Sequence, residues 1–220
     1  MTTGQQAEFL HYVSRFGKSY ATKEEFDFRA EIFAKKAESI AERNARNGAK
    51  FKVGLNKFSD WTKDEYRRLL RYRKNSGLRH DLKPAKTLDI GAIPTKLDWR
   101  KLNAVNDVQD QGQCGSCWAF SAIAAIEGHH AIKTGKLVKL SEQQLVDCAG
   151  GIYGNEGCDG GDMAAAMNYT ETHALNTEDE YPYYANDETC AWNSSLGLVN
   201  TTNINQVSPK NVTQLLAAIA

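Results

Sequence analysis

All five cysteines of this 220-residue chain fall between positions 114 and 190. The first two, Cys114 and Cys117, stand three apart in QDQGQCGSCWAFSAI, directly ahead of an apolar run. The others are Cys148, Cys158 and Cys190. An odd count suggests two bridges and one free thiol. A structural zinc site needs four ligands in two close pairs, but no second C-x-x-C and no H-x3-5-H is present. A redox pair should follow a strand in a βαβ unit. The preceding LDWRKLNAVNDVQDQGQ does not read as a buried strand, and three cysteines would stay unexplained. The remaining reading makes Cys117 a nucleophile and Cys114 half of a disulfide. A thiol in the first turn of a helix faces unpaired N–H groups and the positive end of the dipole, which favour thiolate. Glycines beside Cys114 leave room for a substrate backbone.

The chain before these cysteines differs in character. Its first 75 residues read as helical, with one apolar stripe at Phe9, Val13 and Phe16 and a longer one at Phe26, Phe33 and Ile40. FKVGLNKFSDWTKDEY reads as a short strand or turn, then a helix capped by Asp60 or Thr62. Periodicity fades from Lys74 to Pro94, which reads as an exposed linker open to proteolysis. Beyond it, a helix is expected from near Ser116 to near Gly135, a second behind a Ser141/Gln144 capping-box pattern, and a third opening at Asp162.

Net charge is zero but unevenly spread: residues 1–92 carry 20 Lys+Arg against 12 Asp+Glu, and residues 93–220 carry 7 against 15. The split of +8 and −8 suggests that the two parts bind each other, against the alternative of chance and solvated helix faces. No basic stripe with interleaved aromatics points to nucleic acid. No apolar run reaches the ~18 residues a bilayer crossing needs. The start, MTTGQQAEFL, has neither the basic nor the apolar region of a signal peptide. Four N-x-S/T sequons, at Asn168, Asn193, Asn200 and Asn211, are compatible with a secretory route.

CGSCW is the local signature of papain-like and cathepsin cysteine proteases, and the chain resembles that family over almost its whole length. IPTKLDWR resembles the start of a mature enzyme, GCDGGDM the family's glycine motif, and YPY at 181–183 matches too. Glu25, Arg29, Phe33, Ile40 and Asn44 fit the propeptide helix pattern E-x3-R-x3-F-x2-N-x3-I-x3-N, with Lys36 in place of the first Asn. Gly54, Asn56, Phe58 and Asp60 fit G-x-N-x-F-x-D. Both patterns resemble the cathepsin L-like branch.

The resemblance implies an α+β protein: a helical inhibitory propeptide at 1–75, an activation linker at 76–93, and the mainly helical left half of a papain-like two-domain fold at 94–220. It implies Cys117 as nucleophile, Gln111 as oxyanion-hole side chain, and Gly160, Gly161 and Met163 along the substrate cleft, with core packing the competing reading of Met163. It further implies the bridges Cys114–Cys158 and Cys148–Cys190; with Cys117 free, the other four cysteines alone allow three pairings. No cofactor or metal is implied. The implied partners are protein and peptide substrates, the propeptide itself and cystatin-like inhibitors. The implied location is a lysosome, an acidic vacuole or the exterior.

A thiol protease also needs a base and its orienter, in this family a His and an Asn. They belong roughly 130–150 residues after the nucleophile, past Ala220. His129 and His130 lie on the nucleophile's own expected helix, about 18 Å along it for His129. His173, near the end of the third helix, and His11 and His80, in the propeptide and linker, are no better placed. VTQLLAAIA ends on an apolar helical pattern. The expectation is therefore a cysteine endopeptidase precursor without its β-rich right half. The alternative is a non-catalytic product whose residues 1–80 inhibit cysteine proteases.

Overall fold

A computed structural model of the chain describes residues 1–46, 48, 50–73, 83–84 and 93–220, without the side chains of 83 and 84. Apart from residues 83, 84 and 93, the linker expected at 76–93, with His80, lies outside the described residues. The chain divides into two compact units, Met1–Arg68 and Leu69–Ala220.

The first unit is built on two helices, α1 (Thr3–Arg15) and α2 (Lys23–Ala45), followed by a single turn, α3 (Lys63–Arg67). Side-chain oxygens start all three. Thr2 and Gln5 form a capping box, Thr22 accepts from the Glu25 N–H, and Thr62 and Glu65 form a second box. Apolar spacing on α1 and α2 brings Phe9, Tyr12, Ala30 and Phe33 into one buried cluster. Phe33 is fully buried, its ring 5.3 Å from Phe9 and 4.8 Å from Tyr12.

Polar motif residues lock the irregular stretch between α2 and α3. Asn44 donates to the Val53 carbonyl and accepts from the Val53 N–H. Asn56 Oδ1 accepts from the Phe58 N–H at 2.9 Å, while Ile40, Gly54 and Phe58 line a shallow hollow with Lys36. Arg29 holds Glu65 with two bonds of 2.7 Å and lies 3.5 Å from Glu25. Asp60 is buried and accepts from Tyr12, Lys18 and Tyr20 at 2.7, 3.0 and 2.9 Å. So Thr62, not Asp60, caps α3, because Asp60 is already committed to three donors. Helix is also less continuous over 1–75 than periodicity suggests: residues 50–62 are irregular and 69–73 are not helical.

In the second unit, α4 (Cys117–Thr134) packs against α5 (Glu142–Cys148) and α6 (Met163–Thr172). Ala119, Ala122 and Ala166 keep the helices close, and Trp118, Ile123, Leu145 and Tyr169 fill the core. Gly135 ends α4 in the left-handed region at φ 73°, where a side chain would be strained. Asp162 caps α6 through the Ala164 N–H at 2.7 Å. The box expected at α5 forms only by half. Ser141 accepts from the Gln144 N–H, but the Gln144 side chain is buried and spends its bonds on Tyr169, Ala174 and Asn176. Strand pairing among the described residues is minor: a parallel two-residue pair, β1 (Lys83–Pro84) with β2 (Asn205–Gln206), and single bridges. A final helix, α7 (Val212–Ile219), leaves Val212, Leu215, Leu216 and Ile219 exposed.

Candidate active site

Cys117 is the first residue of α4, and among the described residues it is the free cysteine. It is partly exposed, whereas its neighbours Ser116 and Trp118 are fully buried. Its backbone N–H lies at the helix start, where no intrahelical acceptor exists. Cys114 bonds to Cys158, and Cys148 bonds to Cys190. The first bridge ties the loop before α4 to the glycine loop ahead of α6. The two loops also join through the Gly115 N–H and the Cys158 carbonyl at 2.9 Å. A Cβ on Gly115 would stand 2.4 Å from that carbonyl, so this approach requires glycine.

Gln111 sits across the loop. Its side-chain amide donates to the Cys114 carbonyl at 2.8 Å and to the Leu69 carbonyl at 3.2 Å. Its own carbonyl accepts from the Tyr183 hydroxyl at 2.9 Å, and that hydroxyl also meets Ser116 Oγ at 2.6 Å. Tyr183 thus ties Gln111 to Ser116, the residue just before Cys117. Burial pushes its phenol up from its ordinary range, so it stays a donor.

Gly160 and Gly161 end the loop ahead of α6. Gly160 has φ 120°, a conformation that L side chains rarely adopt. The Asn155 carboxamide supports this loop from inside, donating to the Ala149 carbonyl and accepting from the Asp162 N–H. Residues 69–73 run beside it. Tyr72 pairs with Gly161 in a parallel bridge: the Gly161 N–H donates to the Arg71 carbonyl at 3.2 Å, and the Arg73 N–H to the Gly161 carbonyl at 3.0 Å. Met163, first in α6, is half-buried and packs against the core cluster, so its packing role is real whatever else it does.

The histidines lie elsewhere in the bonding pattern. His129 bonds back to the Ala125 carbonyl on α4. His173 stacks on Tyr169 at 4.4 Å and meets the Trp192 ring edge at 4.6 Å. The sequence reading brought together Cys117, Gln111, Cys114, Cys158, Gly160 and Gly161. It missed Tyr183, Asn155 and the 69–73 segment. Alternation in LLRYR, with Leu70 and Tyr72 against Arg71 and Arg73, was the available signal for an extended strand.

Two family models match in chain order. The cathepsin propeptide inhibitor domain covers residues 9–66, and the papain family cysteine protease model covers 93–220. Digestive cysteine proteinase 1 of Homarus americanus is 41% identical over 191 residues, spanning 84% of this chain and 58% of that protein. A cathepsin L-like peptidase of Aedes aegypti is 40% identical over 188 residues, or 80% of this chain and 55% of that one. The chain therefore spans somewhat over half the length of these curated relatives. The structure of procathepsin L 3 from Tenebrio molitor larval midgut superposes with a TM-score of 0.89 at 32% identity, covering 99% of this chain and 71% of that one. A recombinant stem bromelain precursor gives 0.86 at 31% identity, with 98% and 69% coverage. On these matches, the chain belongs to the papain family of cysteine proteases and carries a cathepsin propeptide inhibitor domain ahead of its peptidase part.

Proposed function

We propose that this chain is the precursor of a cysteine endopeptidase that cleaves peptide bonds through an acyl-enzyme on Cys117. The observation that carries this is the Gln111 amide, which already donates to a peptide carbonyl, that of Leu69, from the loop that leads into the free Cys117. In a substrate complex the same amide and the Cys117 N–H would receive the oxyanion of the tetrahedral intermediate. The thiolate adds to the carbonyl carbon, the amine leaves with a proton, and water then cleaves the thioester. Gly161 offers a free backbone edge once residues 69–73 depart, so that the substrate adds as a strand. Met163 forms an apolar wall beside that strand.

The proton carrier is a histidine outside residues 1–220. His129 and His173 are engaged in their own helices and aromatic contacts. The first unit, with its linker, acts as the intramolecular inhibitor. Cystatin-like inhibitors fit the same cleft. The two disulfides favour an oxidising route to a lysosome, an acidic vacuole or the exterior.

The test is hydrolysis of a fluorogenic peptide by the longest natural product that contains this chain, with Cys117→Ala and Gln111→Ala variants. Cys117→Ala should abolish turnover. Gln111→Ala should lower kcat by about 10²–10³. Turnover that survives Cys117→Ala ends this reading. Residues 1–220 alone should show none.

A further inference from the structure

We infer that Asn193 is an N-glycan attachment site, and that the sequon at Asn168 is not. The acceptor nitrogen is an amide, a poor nucleophile until its carboxamide is polarised and it loses a proton. At Asn193 the structure supplies that polarisation locally. Its Oδ1 accepts from the Ser195 N–H at 3.0 Å and from the Ser195 hydroxyl at 2.7 Å. Both donors belong to the third residue of the sequon Asn193-Ser194-Ser195. Asn193 is exposed, and its Nδ2 has no hydrogen bond among the described residues.

The backbone beneath is anchored on both sides. The Asn193 carbonyl accepts from the Leu196 N–H at 3.1 Å and from the buried Asn176 amide at 3.3 Å. The preceding Trp192 indole donates to the Ala174 carbonyl at 3.0 Å. The side chain is thus presented from a fixed turn, and the turn's bonds run between residues only two apart.

The other sequons lack this arrangement. Asn168 and Thr170 both lie within α6, where residues two apart face different sides and cannot meet. The Thr170 hydroxyl is also buried, donating to the Met167 carbonyl and meeting Thr201 at 2.8 Å. Asn211 turns its Oδ1 to the Gln214 N–H as the cap of α7, not to Thr213. Asn200 lines a groove, and among the described residues its side chain makes no bond to Thr202 of the kind seen at Asn193. Cys190, three residues before Asn193, is disulfide-bonded, which places this stretch in the oxidising compartment where N-glycans are added.

The co-reactant is a polyprenyl-diphosphate-linked oligosaccharide ending in an N-acetylhexosamine. The bond from Asn193 Nδ2 to the anomeric carbon forms as the bond from that carbon to the phosphate oxygen breaks. Polyprenyl diphosphate leaves with the electron pair, and one amide proton passes to a base of the transferase.

The experiment starts from protein purified from the cells that make it. Treatment with peptide-N-glycosidase in heavy-oxygen water, then peptide mapping, should place labelled aspartate at position 193. In a secretory eukaryotic host, Asn193→Gln and Ser195→Ala should each lose one glycosidase-sensitive mobility step. Ser195→Thr should keep that step, and Asn168→Gln should leave it unchanged. Non-reducing mapping of Cys148–Cys190 confirms that each variant has folded. An unlabelled Asn193 overturns the inference, and so does label at Asn168 equal to that at Asn193.

Discussion

The side-chain amide of Gln111 donates to the carbonyl of Leu69 at 3.2 Å, so the group proposed to receive a substrate's oxyanion holds the chain's own backbone. Residues 69–73 keep that position through the Gly161 bridge, and Gly160 allows it. A Cβ on Gly160 would stand 2.2 Å from the Arg71 carbonyl. Gly160→Ala should therefore expel the segment, and its own φ of 120° adds about 1–3 kcal/mol of local strain. Arg73→Pro offers a second route, since it deletes the N–H that donates to Gly161 and leaves the cleft intact. Both variants should speed alkylation of Cys117 by a bulky maleimide. Unchanged rates in both would mean that the segment does not shield the thiol.

Tyr183→Phe removes the hydroxyl that joins Ser116 to the Gln111 carbonyl. Two partners lose one bond each, at about 1 kcal/mol apiece. The ring contact with Phe120 at 4.9 Å should survive. Hydrogen exchange should rise in the peptide spanning 111–118 and hardly at all in α5 or α6. A rise across the whole second unit would mean that the tyrosine supports the core in general.

Part of the site was legible from residue chemistry, which left Cys117 as the free thiol once zinc and redox readings fell short, and part only from the family resemblance, which implied Gln111, Gly160 and Gly161. The glycine beside Cys114 was read as leaving room for a backbone, and in the structure Gly115 meets the Cys158 carbonyl closely. The helices of the first unit were legible from spacing alone, since Phe9, Val13 and Phe16 repeat at helical spacing on one and Phe26, Phe33 and Ile40 on the other. What stayed hidden depends on partners far apart along the chain. Tyr183 reaches Gln111 across 72 positions, and nothing local to YPY gives its hydroxyl that target. Gln144 has the residue type for a cap box but finds buried partners near Ala174, so tertiary bonding overrides a local pattern. Residues 69–73 likewise take their backbone partner from Gly161, far along the chain.

The bridges Cys114–Cys158 and Cys148–Cys190 span 44 and 42 positions. At that span the chain-entropy model gives about 4 kcal/mol for each. Replacing Cys148 and Cys190 together with Ala should lower the urea stability of the second unit by that order, while α1 and α2 keep their protection. Native protein that maps instead to a Cys114–Cys117 bridge would restore the redox reading of the C-x-x-C.

Acid should act on the two units with opposite sign. In the first unit, the paired bonds from Arg29 hold the Glu65 carboxyl down to about 2, against a smaller penalty from burial. Asp60 is also held low: burial works against the charge, but bonds from Tyr12, Lys18 and Tyr20 outweigh it. A depressed carboxyl stabilises the fold above its unfolded value, and that stability is lost as pH falls through the folded value. The first unit should therefore hold near neutrality and weaken below about pH 4.5. In the second unit, burial pushes Glu142 up to about 7, only partly offset by Lys139, and burial raises Glu178 as well. A raised carboxyl gives stability that is full below its unfolded value and lost as pH rises through the folded one. The second unit should thus gain stability between about pH 7 and pH 4.5. Hydrogen exchange of the full chain, corrected for its intrinsic pH dependence, can follow both units at once. Mild acid should raise protection in α5 and leave α2 unchanged, and stronger acid should open α2 first. Glu142→Gln should flatten the first effect and Glu65→Gln the second. Both units losing protection together at one pH would show that these carboxyls do not set the order, and that acid acts through net charge instead.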